Sequence, residues 1–302
     1  MNNSLVNAGP RMLGDSGTEV GPLAFGCWRF TTDDPAEADA LVEGALDRGL
    51  TLVDTADVYG LDHGGRGFGA NEELLGQVLA RTPHLRERMV LATKGGIIPP
   101  TPYDSSGQHL RSACEASLRR LGVDVIDLYQ IHRPDLLTHP SELAATLSSL
   151  RDEGKIREVG VCNHTPAQHE TLASYLPFPL ASSQPQYSAA DLGPLRDGTF
   201  DLCLRHRVLP LAWSPLAGGR LLTGDGIDPA LLSTLDRLAE REEVSRAAIA
   251  IAFVLAHPSA PVAILGTQRL AHLDDATDAL HVALDRHDVY QLIETSEGVP
   301  LP

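Results

Sequence analysis

Short apolar runs alternate along this sequence with longer segments that have helical periodicity. The alternation repeats eight times between residues 22 and 281. Continuous apolar runs are typical of strands that are buried on both faces of a parallel sheet. Eight strand–helix units over about 250 residues predict a (β/α)8 barrel, with its functional site at the carboxyl ends of the strands. A doubly wound sheet is the alternative, but no Gly-x-Gly-x-x-Gly follows the first strand.

The positions of the elements follow from periodicity, capping residues and turn residues. The predicted strands are 22–26, 50–54, 89–93, 125–131, 156–162, 181–184, 208–212 and 261–265. Asn71 is the expected N-cap of the helix after the second strand, and a single helix is expected over 195–206. The last predicted helix covers 270–280.

The chain is expected to form one domain over residues 1–302, because no linker or low-complexity segment divides it. Its hydrophobic content of 43% supplies a core for one large domain. A β-hairpin is predicted at about 10–21, the barrel at about 22–281, and a short C-terminal tail after it. The tail leaves no large C-terminal loop to cover a substrate, which favours small or polar substrates.

The charge balance excludes two classes of partner. The formal charge is −16, from 24 basic and 40 acidic side chains, so neither nucleic acid nor an anionic membrane is an expected partner.

No apolar run approaches the ~20 residues of a membrane span, and no signal peptide is seen. The four cysteines lack Cys-x-x-Cys spacing, and His164 and His169 do not share a helix face, so no metal site is expected. Reduced cysteines indicate a cytoplasmic location.

Three consecutive predicted strands end in chemically active side chains. The second runs into Asp54, with Tyr59 five residues later, while the third ends at Lys94 and the fourth at His132. Because the carboxyl ends of barrel strands share one face, we expect these side chains to meet. A nearby ammonium lowers the pKa of a phenol, which is about 10 in water. Lys94 is the expected ammonium, Asp54 would hold it in place, and His132 would donate a hydrogen bond to a substrate oxygen.

Such a group of side chains polarises a carbonyl and protonates the alkoxide that forms from it. A hydride must come from elsewhere, since no side chain supplies one, and a nicotinamide is the expected source. The sequence therefore predicts a small-molecule carbonyl or alcohol as the substrate and a nicotinamide nucleotide as the cofactor.

These residues resemble the tetrad of the aldo-keto reductase family, and the resemblance spans nearly the whole chain. The tetrad pattern is Asp54-x-x-x-x-Tyr59, Lys94 before Gly95, and His132 within 131–135. Further similar segments are 13–14, 25–28, 154–163, 212–219 and 266–267. The resemblance implies the (β/α)8 barrel and a reversible NAD(P)H-dependent reduction of an aldehyde or ketone, with Tyr59 as the general acid and base.

The resemblance also implies a set of cofactor-binding residues. The set comprises Cys27 and Trp28 after the first strand; Cys162, Asn163, Gln184 and Trp213 around the nicotinamide; Ser214, Pro215, Leu216, Gly218 and Arg220 along the pyrophosphate; and Gly266, Thr267, Gln268, His272 and Asp275 around the adenosine. NADPH is the expected cofactor and NADH the alternative. Members that favour NADPH often have Arg or Lys in the loop after the last strand to meet the 2′-phosphate. This chain offers Arg269 and His272 there, with Asp274 and Asp275 close by.

Three positions depart from the family pattern. Cys27 and Cys162 stand where family members usually have Ser or Thr, and Ala276 stands where Asn is usual. At Cys162 a weak thiol donor replaces a hydroxyl donor. At Ala276 one adenine contact is expected to be missing.

Two other functions fit part of the pattern. A redox sensor without turnover would keep the nicotinamide-binding residues, and an aldolase would use Lys94 as a Schiff-base nucleophile. Asp54 and Tyr59 are better suited to a charged lysine than to a nucleophilic one. The five glycines from Gly60 to Gly69 indicate a mobile loop. This loop either covers the substrate or only connects Tyr59 to the next helix. The substrate, the preferred direction and the oligomeric state stay open.

Overall fold

The computed structural model describes residues 4–302, and its centre is a closed barrel of eight parallel strands. This confirms the predicted fold class. A two-stranded antiparallel hairpin of β1 (Arg11–Met12) and β2 (Glu19–Val20) precedes the barrel. The barrel strands are β3 (Leu23–Gly26), β4 (Leu52–Asp54), β5 (Val90–Gly95), β6 (Ile126–Ile131), β7 (Ile156–Cys162), β8 (Ser182–Gln184), β9 (Leu209–Ala212) and β10 (Val262–Leu265).

Helices follow each barrel strand and form the outer layer. They are α1 (Pro35–Asp47), α2 (Ala70–Arg81), α3 (Gly107–Leu121), α4 (Pro140–Asp152), α5 (Pro166–Tyr175), α6 (Gly193–Arg196), α7 (Thr199–His206), α8 (Arg220–Thr223), α9 (Pro229–Glu242), α10 (Arg246–Leu255), α11 (Leu270–Thr277) and α12 (Arg286–Glu297). Each predicted strand lies within two residues of the observed one, because apolar runs between turn residues mark buried strands clearly.

One predicted helix was wrong in detail, and one observed helix was not predicted. The single helix expected over 195–206 is two helices, since Gly198 adopts a φ of 86° between α6 and α7. The tail also holds an unpredicted helix, α12. Its sequence signal is a capping box, in which the Asp285 and Asp288 side chains each accept a hydrogen bond from the backbone N–H of the other.

The hairpin closes the amino end of the barrel. Leu13 and Val20 pack with side chains from inside the barrel, among them Leu52, Leu128 and Leu211. A larger apolar cluster fills the space between the strands and the helices. The amino end is therefore sealed by hydrophobic packing, which leaves the carboxyl end for polar side chains.

Strand register places polar residues of separate strands side by side at the carboxyl end. Asp54 is the last residue of β4. Lys94 of β5 pairs with Gln130 of β6, and Cys162 of β7 pairs with Gln184 of β8. Among residues 4–302, no helix combines the length and the apolar character that a membrane crossing needs.

Candidate active site

The site is built around a buried ion pair between Lys94 and Asp54. Lys94 Nζ donates to Asp54 Oδ2 at 2.6 Å, to the Thr55 carbonyl at 2.9 Å and to Tyr59 Oη at 3.2 Å. The ammonium thus has three acceptors, as a fully buried cation requires. Burial disfavours the charge, but Asp54 and Tyr59 more than offset it and raise the pKa of Lys94. Lys94 is therefore a cation at neutral pH.

Tyr59 is an acid with an unusually high pKa in this setting. Burial, with smaller contributions from Asp54 and Cys162, raises the pKa of Tyr59 to about 12, and Lys94 only partly opposes this. The expected lowering by the ammonium is present, but desolvation of the phenolate outweighs it. Tyr59 therefore carries its proton across the physiological pH range.

His132 faces Tyr59 from the end of β6, with ring centroids 5.7 Å apart and nearly perpendicular planes. Burial, together with the charges of Lys94 and Arg133, holds the pKa of His132 well below its usual value. Its Nδ1 atom is buried and has no hydrogen-bond partner among the described residues. The ring is therefore neutral and can offer a single N–H donor to a ligand.

Two side-chain amides hold the second carboxylate oxygen of Asp54, and a thiol contacts one of these amides. Gln130 Nε2 and Gln184 Nε2 donate to Asp54 Oδ1 at 3.2 and 3.0 Å. The Cys162 thiol donates to Gln184 Oε1 at 3.5 Å and accepts from Asn163 Nδ2 at 2.9 Å. This network joins the ends of β4, β6, β7 and β8, and it fixes the orientation of Asp54.

Trp213 extends this network towards β9, where its Nε1 donates to Asn163 Oδ1 at 2.9 Å. Asn163 and Ser214 both adopt left-handed backbone conformations, with φ of 54° and 53°. Non-glycine residues in this region cost about 1 kcal/mol or more, and they cluster at functional sites. Both residues lie at the carboxyl end of the barrel, directly after β7 and β9.

The loop after β9 continues this surface outward. Ala217, Gly218 and Gly219 have φ values of 51°, 70° and 100°, so the backbone turns sharply before α8. Arg220 Nε donates to the Ala217 carbonyl at 3.2 Å, and Arg29 Nη2 donates to the Gly218 carbonyl at 3.1 Å. Arg29 was not predicted, and it ties this loop to the end of β3.

The residues expected around the adenosine lie together after β10. Thr267 Oγ1 and His272 Nδ1 are 3.2 Å apart. Gln268 Oε1 is buried without a hydrogen-bond partner among the described residues, which leaves it free to accept from a ligand. Arg269 is exposed at the start of α11, and the competing Asp274 forms an ion pair with Arg48 at 2.6 Å. Ala276 is buried within α11.

Gly266 and Asp275 complete this region, the first exposed and the second half-buried. Pro215 and Leu216 follow Ser214 in the β9 loop, where Pro215 is buried and Leu216 packs against the outer core. The structure therefore brings the predicted residues to the carboxyl end of the barrel. Their roles stay predictions.

Asn71 differs from its prediction. The N-cap of α2 is Gly69, with a φ of 83°, rather than Asn71. Asn71 is buried, and its Nδ2 donates to the carbonyls of Cys27 at 2.6 Å and Trp28 at 3.2 Å. It therefore holds the turn after β3 in place, a long-range role that its local sequence does not indicate.

The glycine-rich loop between Tyr59 and α2 is compact. The Gly67 N–H donates to the Gly60 carbonyl at 2.9 Å. A Cβ atom on Gly60 would lie 2.3 Å from the Gly67 oxygen, and one on Gly65 would lie 2.3 Å from the Gly60 oxygen. These glycines therefore permit close backbone contact within the loop.

A separate cavity of about 720 Å³ lies at the opposite, amino end of the barrel beside the hairpin. Its charged lining includes Asp127, which pairs with Arg86 and Arg157 at 2.8 Å each. These charges satisfy one another, and the tetrad does not line this cavity. We therefore place the chemistry at the carboxyl end.

Comparison with known proteins supports this placement. The family model described as "Aldo/keto reductase family" matches residues 22–297. A protein of Novosphingobium aromaticivorans named 6-dehydroglucose reductase is 46% identical over 295 residues, which are 97% of this chain and 97% of that protein. A protein of Agrobacterium fabrum with the same name is 35% identical over 292 residues, covering 93% of this chain and 95% of that protein.

A solved structure shows the same architecture. The thermostable aldo-keto reductase Tm1743, crystallised with the inhibitor epalrestat, matches with a TM-score of 0.81 and 27% sequence identity. The match covers 95% of this chain and 99% of that chain.

Proposed function

We infer the reaction from the premise that this chain belongs to the aldo/keto reductase family, whose members are oxidoreductases that use nicotinamide cofactors. The chain is accordingly an enzyme that acts on a small carbonyl compound. We propose that it reduces an aldehyde reversibly to an alcohol with NADPH. The hydrogen bond from Lys94 to Tyr59, within a buried ion pair, is the observation that carries the proposal.

Tyr59 is the proposed general acid in the direction of reduction. The substrate carbonyl oxygen would lie between Tyr59 Oη and the neutral His132 ring, and Tyr59 would donate its proton as the oxygen gains charge. Lys94, 3.2 Å from Tyr59 Oη, would stabilise the phenolate that remains. A positioned acid of this kind typically contributes about 10²–10⁴-fold to the rate.

The residues around the tetrad fit a nicotinamide nucleotide. Asn163 keeps one N–H and one oxygen lone pair beyond its present bonds, and Gln184 keeps one oxygen lone pair. These atoms would hold the carboxamide, with Trp213 against the ring. When bound, the reduced nicotinamide supplies the hydride. Gln268, whose Oε1 has no partner among residues 4–302, would take the adenosine end.

Arg269 supports NADPH over NADH. It is exposed and is paired with no carboxylate of the described residues, whereas Asp274 is occupied by Arg48. A free guanidinium suits a 2′-phosphate, because it can form two charge-assisted hydrogen bonds. Of the two acidic residues close by in the sequence, Asp274 is thereby engaged by Arg48 rather than by Arg269.

A polar sugar aldehyde is the proposed substrate class. Two relatives carry the name 6-dehydroglucose reductase. Arg133 adds support from the structure, because its guanidinium lies 5.8 Å from the Trp213 ring centroid and forms no ion pair among the described residues. A half-buried cation without an acidic partner suits hydroxyl or other polar oxygen atoms on a substrate.

The aldolase alternative is disfavoured by the state of Lys94. A Schiff-base lysine must be neutral to attack a carbonyl. Here the pKa of Lys94 is raised by Asp54 and Tyr59 despite burial, and all three N–H bonds have acceptors.

The test is oxidation of NADPH by wild type and Tyr59→Phe with 6-dehydroglucose, with Tyr290→Phe as a matched control on exposed α12. We expect kcat to fall about 10²–10⁴-fold in Tyr59→Phe alone. The NADPH dissociation constant, followed by tryptophan fluorescence, should stay within about twofold because the phenol acts on the substrate. Equal loss of NADPH affinity and activity would contradict the proposed role. Turnover of NADH equal to that of NADPH would contradict the cofactor preference.

A further inference from the structure

The geometry points to a subsite beside Tyr59 that Trp28 and His63 form together. We propose that it binds the hydroxylated part of the substrate beyond the reacting carbonyl, with His63 as the residue that selects for hydroxyl groups. This inference rests on the proposed function, because it concerns the substrate of the same site.

Trp28 is held at the edge of the catalytic centre. Its ring centroid lies 6.4 Å from that of Tyr59, with 33° between the planes. The buried Asn71 fixes its backbone through the hydrogen bond to the Trp28 carbonyl at 3.2 Å. The indole is nevertheless 38% exposed, so a substantial apolar surface faces outward next to Tyr59.

The imidazole of His63 also contacts the indole of Trp28. The two ring centroids are 4.8 Å apart with 81° between the planes. The backbone of His63 is left-handed, with a φ of 55°, and its carbonyl accepts a hydrogen bond from Thr31 Oγ1 at 3.2 Å. The Thr31 hydrogen bond therefore anchors the backbone of His63 beside Trp28.

Backbone contacts within the loop that carries His63 give it a compact shape. The close approaches among Gly60, Gly65 and Gly67 close it on itself, and Arg66 forms an ion pair with Asp33. A subsite built before the ligand arrives loses less conformational entropy on binding. The loop thereby forms one wall of the proposed subsite.

The chemistry of this wall suits a polyhydroxylated carbon chain. An aromatic face packs against the C–H groups of a sugar, while polar atoms at its edge meet the hydroxyls. Neither ring nitrogen of His63 has a hydrogen-bond partner in the described part of the chain. A hydroxyl-bearing substrate would pair with one of them, whereas an apolar substrate would desolvate it without compensation.

The experiment compares kcat/KM for 6-dehydroglucose and for cyclohexanecarbaldehyde, which has a ring but no hydroxyls. The variants are His63→Phe, which keeps an aromatic ring against Trp28, and His63→Gln, which keeps hydrogen-bonding groups. His84→Phe, an exposed histidine after α2, is the matched control. In His63→Phe the ratio of the two kcat/KM values should fall about tenfold, as expected for one lost hydrogen bond. The fall should lie in KM for 6-dehydroglucose, and His63→Gln should recover most of it.

The outcomes separate this inference from the proposed function. If wild type reduces both aldehydes and the ratio stays within about twofold in both variants, the subsite is wrong and the reductase assignment stands. An equal loss on both substrates in His63→Phe would show a general structural role and overturn the selectivity. If wild type reduces neither aldehyde, the proposed function fails, and the subsite fails with it.

Discussion

Lys94→Met and Asp54→Asn, separately and together, test the central ion pair by a double-mutant cycle. In Lys94→Met the Asp54 carboxylate stays buried and keeps only Gln130 and Gln184 as donors. In Asp54→Asn the Lys94 ammonium stays fully buried, and the Thr55 carbonyl and Tyr59 become its only acceptors apart from the new amide. Each single change therefore leaves an uncompensated buried charge.

The magnitude follows from burial. Removing one partner of a buried pair costs about 3–5 kcal/mol, while replacing both partners by neutral groups is often close to neutral. We therefore expect each single variant to lose about 3–5 kcal/mol of unfolding free energy and the double variant to lose less than either. In a protein of this size the single losses correspond to a fall in Tm on the order of 10 °C.

The assay is thermal and denaturant unfolding at pH 7, where Lys94 is charged in both the folded and unfolded states. Lys155→Met is the matched control, because Lys155 also pairs with carboxylates, Glu115 at 2.6 Å and Glu153 at 2.8 Å, but at the surface. Its effect should be far smaller, since exposed ion pairs contribute little. Additive losses in the double variant, or a Lys94→Met effect no larger than that of Lys155→Met, would refute the reasoning.

Two further predictions concern buried titratable groups away from direct chemistry. Asp57 is fully buried without a hydrogen-bond partner among the described residues, and burial, reinforced by Glu72, raises its pKa. The folded state therefore loses stability as pH rises above about 4, the pKa of an aspartate in the unfolded chain. Asp57→Asn should raise Tm at pH 7 and have little effect at pH 4. A lower Tm at pH 7 would contradict this. Burial, with repulsion from His164 and His206, lowers the pKa of His169 to about 4. The folded state therefore loses up to about 3 kcal/mol of unfolding free energy as pH falls from 6.5 to about 4. In His169→Gln the unfolding free energy should fall less steeply over that pH range. An unchanged pH dependence would show that His169 does not cause the loss.

Asn71 and the glycine-rich loop show where local patterns mislead. Asn71 has the residue type and position of an N-cap, yet Gly69 takes that place and Asn71 holds the turn at Trp28. The glycines of the loop also permit close contact between Gly60 and Gly67, which their composition does not predict. In both cases the deciding partner lies outside the window that a local pattern describes.

The sequence by itself determined the order of strands and helices, the barrel, and the residue types at the strand ends. These features are local, because the periodicity of apolar side chains and the residues that end each element are set by neighbours in the chain. Only the tertiary structure sets the hydrogen-bond partners and the pKa values of the side chains in the site. Closure of the barrel brings Gln184 within hydrogen-bond distance of Asp54, 130 residues away in the chain. Burial raises the pKa of Tyr59 by more than Lys94 lowers it. Burial and long-range hydrogen bonds arise only when distant strands meet, so no local pattern carries them.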